Sequence, residues 1–321
     1  MEFVNGYVFH AADGFLHHLQ EEVPEITRID GPLVSAWKRN SPAPFDLNEQ
    51  PVFWARNIWL KPFLLEFGSI SEAARALMAI QRNWSPCPVH HARRTILIAQ
   101  QLPHLPTKPR PFPFELPKAP MGAFTLLDEH LLLGSALCSS PFPGGAFEFE
   151  ENHSDPPSRA YRKLWEALVL AGCLPKPGER AFDAGASPGG WTWALASLGA
   201  NVLSVDRSPL DPRIASMPGV RWMKHDAFTL KPEEIGPIDW LCSDVICYPE
   251  ALWNWISKWL DSGMARNYVC TIKMQGSRYD RATTLRFARV PGSRIVHLWH
   301  NRHELTWISL ASWRQAAYAS G

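Results

Sequence analysis

Residues 180–198 read RAFDAGASPGGWTWALASL, and this stretch decides the fold. Arg180–Asp183 is a short apolar strand that runs straight into a glycine-rich turn, and Trp191–Leu198 continues as a helix. The glycines have a physical purpose: the chain must turn sharply from strand to helix and let a ligand approach its backbone. The pattern is Asp183-x-Gly185-x-x-Pro188-Gly189-Gly190-Trp191 rather than the GxGxxG of dinucleotide-binding turns, and no lysine follows to grip a phosphate. It therefore suits a nucleoside without a pyrophosphate, with Gly185, Ser187, Pro188, Gly189, Gly190 and Trp191 as candidate contacts. The missing pyrophosphate fingerprint argues against a nicotinamide-dependent oxidoreductase.

Outward from the turn, helices and short apolar strands alternate, the mark of an α/β domain with a parallel, Rossmann-like sheet. Arg159–Ala171 reads as a helix; Asn201–Asp206, Arg221–Asp226, Ile238–Asp244 and Tyr268–Lys273 read as strands, each ending on a charged residue. In an open parallel sheet the ligand crevice lies beyond the carboxyl ends of the strands, so these charges converge there. Asp206, about twenty residues past the turn, is placed to accept from ribose hydroxyls, and Asp226 from an adenine amino group. His297, His300 and His303 lie in strand and turn without companion ligands, so no metal site is expected. The six cysteines form no CxxC pair and read as reduced, packed residues.

Residues 1–150 are less patterned. Tyr7–His10, Leu33–Trp37 and Pro51–Lys61 suggest strands, Gly14–Glu22 a helix, and Ser71–Met78 a helix capped by Ser69 or Ser71. Arg94–Gln101 reads as a strand, and Phe124–Leu127 with Leu131–Leu137 as a hairpin around Asp128-Glu129-His130. Seven prolines between residues 102 and 120 exclude a helix or central strand and predict an extended linker. Net charge is +1, but its distribution is uneven: 12 Lys/Arg against 15 Asp/Glu in residues 1–150, and 20 against 16 in residues 151–321. From Lys273 to Arg302 stand seven basic residues and one acid, Asp280, a run that reads equally as a solvated face or a phosphate contact. No apolar run reaches the roughly 18–20 residues needed to span a bilayer. Met1-Glu2-Phe3 lacks the features of a signal peptide, so a cytoplasmic enzyme without a membrane partner is expected.

The loop DAGASPGGW resembles the cofactor loop of FtsJ-like RNA methyltransferases, whose mark is a Lys-Asp-Lys-Glu tetrad. Lys163, on the helix before the sheet, matches the first lysine; Asp244, ending the fourth strand, matches the aspartate; Lys273, ending the fifth, matches the second lysine. Glu304, opening the last strand, matches the glutamate. Within this group the chain is most similar to the RlmM family of bacterial 2′-O-methyltransferases acting on a cytidine of large-subunit ribosomal RNA. Residues 155–167, DPPSRAYRKLWEA, resemble that family's DAPSRSTLKLEEA, and residues 51–59, PVFWARNIW, resemble its SLIFARQWF. The resemblance implies a class I fold that uses S-adenosyl-L-methionine, and a ribose 2′-hydroxyl of RNA as acceptor. Its implied partner is 23S ribosomal RNA or a precursor ribosomal particle. It further implies a ferredoxin-like module over 1–70, a THUMP-like RNA-binding region over 71–153 and a methyltransferase domain over 154–321.

By the same resemblance Lys163, Asp244, Lys273 and Glu304 are catalytic, and Asp206, Asp226 and Asp244 join the turn in holding the cofactor. Lys273 is then the proton acceptor and Lys163 depresses its pKa and orients the ribose. Asp244 holds Lys273 beside the methyl group, and Glu304 positions the hydroxyl or a lysine. A catalytically silent nucleoside-binding protein would lack part of the tetrad; here all four positions are filled. Two departures stand out: the THUMP-like stretch is short, with prolines where helices are expected, and Ala160 stands where the family pattern has serine.

Overall fold

The computed structural model describes residues 1–319. The chain forms two units, one of residues 1–110 and 116–148, the other of residues 111–115 together with Phe149 onward.

The first unit is built on β1 (Glu2–Phe3), β2 (Asn5–Ala11), α1 (Leu16–Glu22), β3 (Arg28–Asp30), β4 (Leu33–Lys38), β5 (Ala55–Trp59), β6 (Pro62–Glu66), α2 (Ile70–Ile80), β7 (Trp84–Pro86), α3 (Ala92–Ala99), β8 (Gly122–Asp128) and β9 (Leu131–Ser135). One sheet runs β3-β4-β2-β5, the other β1-β6-β9-β8-β7. The boundary expected at residues 70/71 falls inside this unit. The reason is the core: Val8, Leu33 and Trp59 of the first sheet pack in one cluster with Leu64, Ala123 and Leu133 of the second. The strand expected at Arg94–Gln101 is instead the helix α3. Its β-branched residues favour a strand, yet Thr95 and Ile98 are buried while Ile96 and Leu97 are exposed, the three-residue spacing of a helix. Ser69 caps α2, its side chain accepting from Glu72 N at 3.2 Å.

The second unit contains α4 (Tyr161–Ala171), β10 (Arg180–Ala184), α5 (Gly190–Ser197), β11 (Asn201–Asp206), α6 (Pro212–Ala215), β12 (Val220–Lys224), α7 (Pro232–Ile235), β13 (Ile238–Ser243), α8 (Pro249–Ser262), β14 (Ala265–Lys273), α9 (Arg281–Ala288), β15 (Ser293–Val296), β16 (Glu304–Ser309) and α10 (Ala311–Ala319). Its sheet has the order β12-β11-β10-β13-β14-β16-β15. The first five strands pair in parallel, and β16 enters antiparallel between β14 and β15. This is a Rossmann-like α/β fold of the class I methyltransferase kind. The strand order reverses between β10 and β13, so the crevice opens at their carboxyl ends. Helix packing reads as near-continuous burial on the central strands: Ala181, Phe182 and Ala184, then Leu241 and Cys242, then Val269, Cys270 and Ile272.

Of the proline-rich segment, residues 111–115 belong to this second unit. Phe112 stacks on Trp165 of α4 at 4.4 Å between ring centroids, and Phe149 meets the same indole edge-on at 5.5 Å. No helix among the described residues is long and apolar enough to cross a membrane.

Candidate active site

Strand register sets the first feature of the site. Lys273, the last residue of β14, faces Glu304, the first of antiparallel β16. Asp244 follows the end of β13, the neighbour of β14. The fourth member comes from outside the sheet, since Lys163 lies on α4. The four side chains meet: Lys163 Nζ donates to Asp244 Oδ1 at 2.8 Å and to Glu304 Oε1 at 3.1 Å, and Lys273 Nζ lies 3.1 Å from Asp244 Oδ1. Thr271, two residues before Lys273 and so on the same strand face, donates its hydroxyl to Asp244 Oδ1 at 2.8 Å. Arg302 N donates to Glu304 Oε1 at 3.2 Å.

Two ammonium groups and two carboxylates thus form a compact cluster without net charge. Burial alone would lower the Lys163 pKa, but Asp244 and Glu304 outweigh it and hold the group above its ordinary value. The resemblance assigns Lys163 the task of lowering the Lys273 pKa and orienting the ribose; in the structure it sits between two acids. Its charge is matched by two carboxylates, and Asp244 Oδ1 is bonded to both lysines.

Beside this cluster a cavity of about 430 Å3 is lined by Gly185, Ser187, Pro188, Gly190 and Trp191 of the turn and by Asp206, Asp244 and Lys273. A second of about 250 Å3 holds Asp226, His225 and Phe228, and shares Gly185, Asp206, Val245 and Ile246 with the first. Gly185 has φ of +76°, and a Cβ there would come within 2.7 Å of the Val245 side chain. A Cβ on Gly190 would strike Ser158 Oγ at 2.5 Å. Gly189 lines neither cavity; its role is the turn itself, at φ of +113°. Trp191 is buried, and its indole N–H donates to the Ala160 carbonyl at 2.9 Å, tying the turn to the start of α4.

Asp206 holds the turn together, accepting from Ser187 N at 3.0 Å and Ser208 N at 2.8 Å, one on each oxygen. Each oxygen keeps a further acceptor site for a ligand hydroxyl. Asp226 lies two residues beyond the end of β12 and caps a short helical turn through Phe228 N at 3.0 Å. Arg207 pairs with its other oxygen, and burial is outweighed by these donors, so its pKa falls below the usual carboxylate value. Asp183, at the end of β10, is fully buried; desolvation raises its pKa to about 7 despite a 2.7 Å bond from the Thr192 hydroxyl.

Three residues escaped the sequence reading. Ser158 lines the larger cavity, and its buried hydroxyl has no partner among the described residues. The signal was present, because the serine sits in the same string as Lys163, five residues before it. Thr271 was findable from strand alternation behind Lys273. Glu166 was not: buried on α4, it accepts from Trp299 N at 2.7 Å, His300 N at 3.1 Å and His300 Nδ1 at 2.7 Å, fixing the loop before β16. His300 is thereby engaged, and among the described residues no group of His, Cys, Asp or Glu is arranged to hold a metal.

The profile of the FtsJ-like methyltransferase family matches residues 156–257, so the second unit carries a domain of that kind. The ribosomal RNA large subunit methyltransferase M of Halorhodospira halophila is 38% identical over 159 residues, 47% of this chain and 46% of that protein. The protein of the same name from Xanthomonas axonopodis pv. citri is 31% identical over 210 residues, 60% of each. The chain thus spans about half the length of the curated relatives it matches. Among solved structures, TrmN from Thermus thermophilus aligns over 95% of this chain and 99% of its own at 14% identity, with a TM-score of 0.35.

Proposed function

We propose that this protein is an S-adenosyl-L-methionine-dependent 2′-O-ribose methyltransferase whose substrate is large-subunit ribosomal RNA, the 23S rRNA or a precursor particle containing it. One observation carries the reading: two lysines meet at Asp244 Oδ1, one of them also bonded to Glu304, beside a crevice built by a glycine turn and strand-end aspartates. The names of the curated relatives supply the RNA.

The residues present suit the cofactor. Gly185 and Gly190 keep the crevice free of side chains, and the unpartnered Ser158 hydroxyl is available to a polar group of a ligand. Asp206 would accept from the ribose hydroxyls and Asp226 from the adenine amino group, with Asp244 beside the methionine end. When bound, this cofactor supplies an electrophilic methyl group on a sulfonium, the chemistry the protein itself lacks.

What the chain adds is alignment and proton removal. A ribose hydroxyl is a weak acid and must lose its proton as it attacks; Lys273 Nζ, at the end of β14, is the acceptor in this reading. Asp244 tolerates a neutral Lys273, because Lys163 and Thr271 still donate to it. Lys163 and Glu304 fix one another at 3.1 Å and line up the incoming hydroxyl. The test is to incubate the full chain with tritiated cofactor and a large-subunit rRNA transcript, then hydrolyse in alkali. A methyl on the 2′-oxygen protects the adjacent phosphodiester, so label must appear in alkali-stable dinucleotides. Label confined to mononucleotides, or none, rejects the assignment.

A further inference from the structure

The five residues that leave Asp244 are built in an unusual way. Ile246 is 77% exposed and Tyr248 69%; in the second unit only Tyr318, among the described residues, is a comparably bare large apolar side chain. Burial alternates along the segment: Val245 is half-buried against Gly185, Ile246 is exposed, Cys247 half-buried, Tyr248 exposed and Pro249 buried. Tyr248 has extended backbone, φ −68° and ψ 144°, and stands immediately before α8. The segment is also held in place, since Gln275 Nε2, two residues beyond Lys273, donates to the Cys247 carbonyl at 3.2 Å. Burial pushes the Cys247 thiol up to about 11 while the charge of Lys273 opposes it, so this loop runs beside the proposed base. Ile246 itself lines both cavities.

A pinned loop that keeps two large apolar side chains in water next to a reacting centre invites a partner of matching chemistry. The acceptor ribose must reach Asp244 and Lys273, and its base is attached to that same sugar. A base has a flat apolar face, and unstacked bases are taken up on aromatic side chains. The neighbouring chain agrees in charge: Arg278 is exposed on the short stretch that Gln275 begins.

We infer that Tyr248, with Ile246 beside it, is the stacking platform for the base of the acceptor nucleotide, and that this nucleotide is therefore taken unpaired. A base stacked on Tyr248 cannot at the same time remain in a duplex. The inference rests on the proposed function and adds to it the form in which the RNA is accepted.

The test uses the full chain, tritiated cofactor and a protein-free large-subunit rRNA transcript. Tyr248→Ala should lower kcat/KM for the RNA about 10- to 100-fold, the range of losing one base–aromatic stack, mainly through KM. Its calorimetric affinity for S-adenosylhomocysteine should match wild type, and Tyr248→Phe and Tyr248→Trp should restore activity. Equal methylation by Tyr248→Ala and wild type overturns the platform and leaves the proposed function standing. A defect seen only on ribosomal particles, not on protein-free RNA, also overturns it and makes the pair a protein-docking surface. Loss of S-adenosylhomocysteine affinity would make Tyr248 part of the cofactor wall instead. If the wild type labels no RNA, the proposed function falls and the platform with it.

Discussion

At the scale of single residues, the proposed roles predict that Lys273 acts in chemistry and Asp206 in cofactor binding. Lys273→Met should abolish turnover, a loss of about 10²–10⁴ in rate, while S-adenosylhomocysteine binds as before. Methionine keeps the apolar stem, so packing damage is small. Lys273→Arg should be nearly as inactive, because a guanidinium stays protonated; substantial activity in that variant would make Lys273 an electrostatic positioner. Asp206→Ala should weaken cofactor binding by about 1.5–3 kcal/mol in calorimetry, the scale of lost charge-assisted hydrogen bonds. It also releases Ser187 N and Ser208 N, so part of the loss is a loosened turn. Asp183 gives a pH signature. Its folded pKa is about 7, above the unfolded carboxylate value, so the folded state holds a proton that the unfolded state has released. That contribution to stability is complete below about pH 4 and is lost as pH rises toward 7. Urea titrations from pH 4 to 8 should show Asp183→Asn gaining on wild type up to about pH 7 and no further. A difference independent of pH would mean that Asp183 is ionised in the folded protein.

Among elements, α4 does two things at once. It presents Lys163 to the cluster and, one turn on, offers the Glu166 carboxylate to two backbone N–H groups and the His300 ring of the loop before β16. Glu166→Ala strands those buried donors, so unfolding free energy should fall by about 2–4 kcal/mol and turnover should fall with it, since Glu304 follows the same loop. Denaturant unfolding with unchanged stability would show the loop to be held by other bonds. How much of this was legible depends on the range of the cause. The turn at 183–191, and β11 at Asn201–Asp206, follow from local rules and could be read directly. The convergence of Asp244 and Lys273 needed only the rule that parallel strands share an edge. By contrast, α3 reads as a strand in the sequence because Thr95, Ile96 and Ile98 favour one, whereas its burial is dictated by what it packs against. The pairing of Arg207 with Asp226, and the reach of Glu166 to residues 299–300, depend on loops no local pattern specifies.

For the whole molecule, we propose that the two units have separate tasks. Residues 1–148 contribute nothing to the cavities described, so we expect them to serve RNA engagement, in keeping with the RNA-binding modules the sequence resembles. A fragment beginning at Phe149 should bind S-adenosylhomocysteine with the affinity of the full chain yet methylate the rRNA transcript at least about tenfold more slowly. Full-rate methylation by the fragment would reject this division of labour. Such a fragment also loses Phe112 from the face of Trp165, so its thermal midpoint should be lower, and assays belong below that temperature.

Lys163 and Glu304 are 141 positions apart along the chain, yet bond directly. Strand β16 must slot between β14 and β15 before the cluster exists. During synthesis, at about 5–20 residues per second, the nascent polypeptide displays its glycine turn and aspartates many seconds before it owns a glutamate to match Lys163. A ribosome still making this protein therefore carries a copy in which the cluster is not yet assembled. The four-residue cluster is completed only with the emergence of the strand that begins at Glu304.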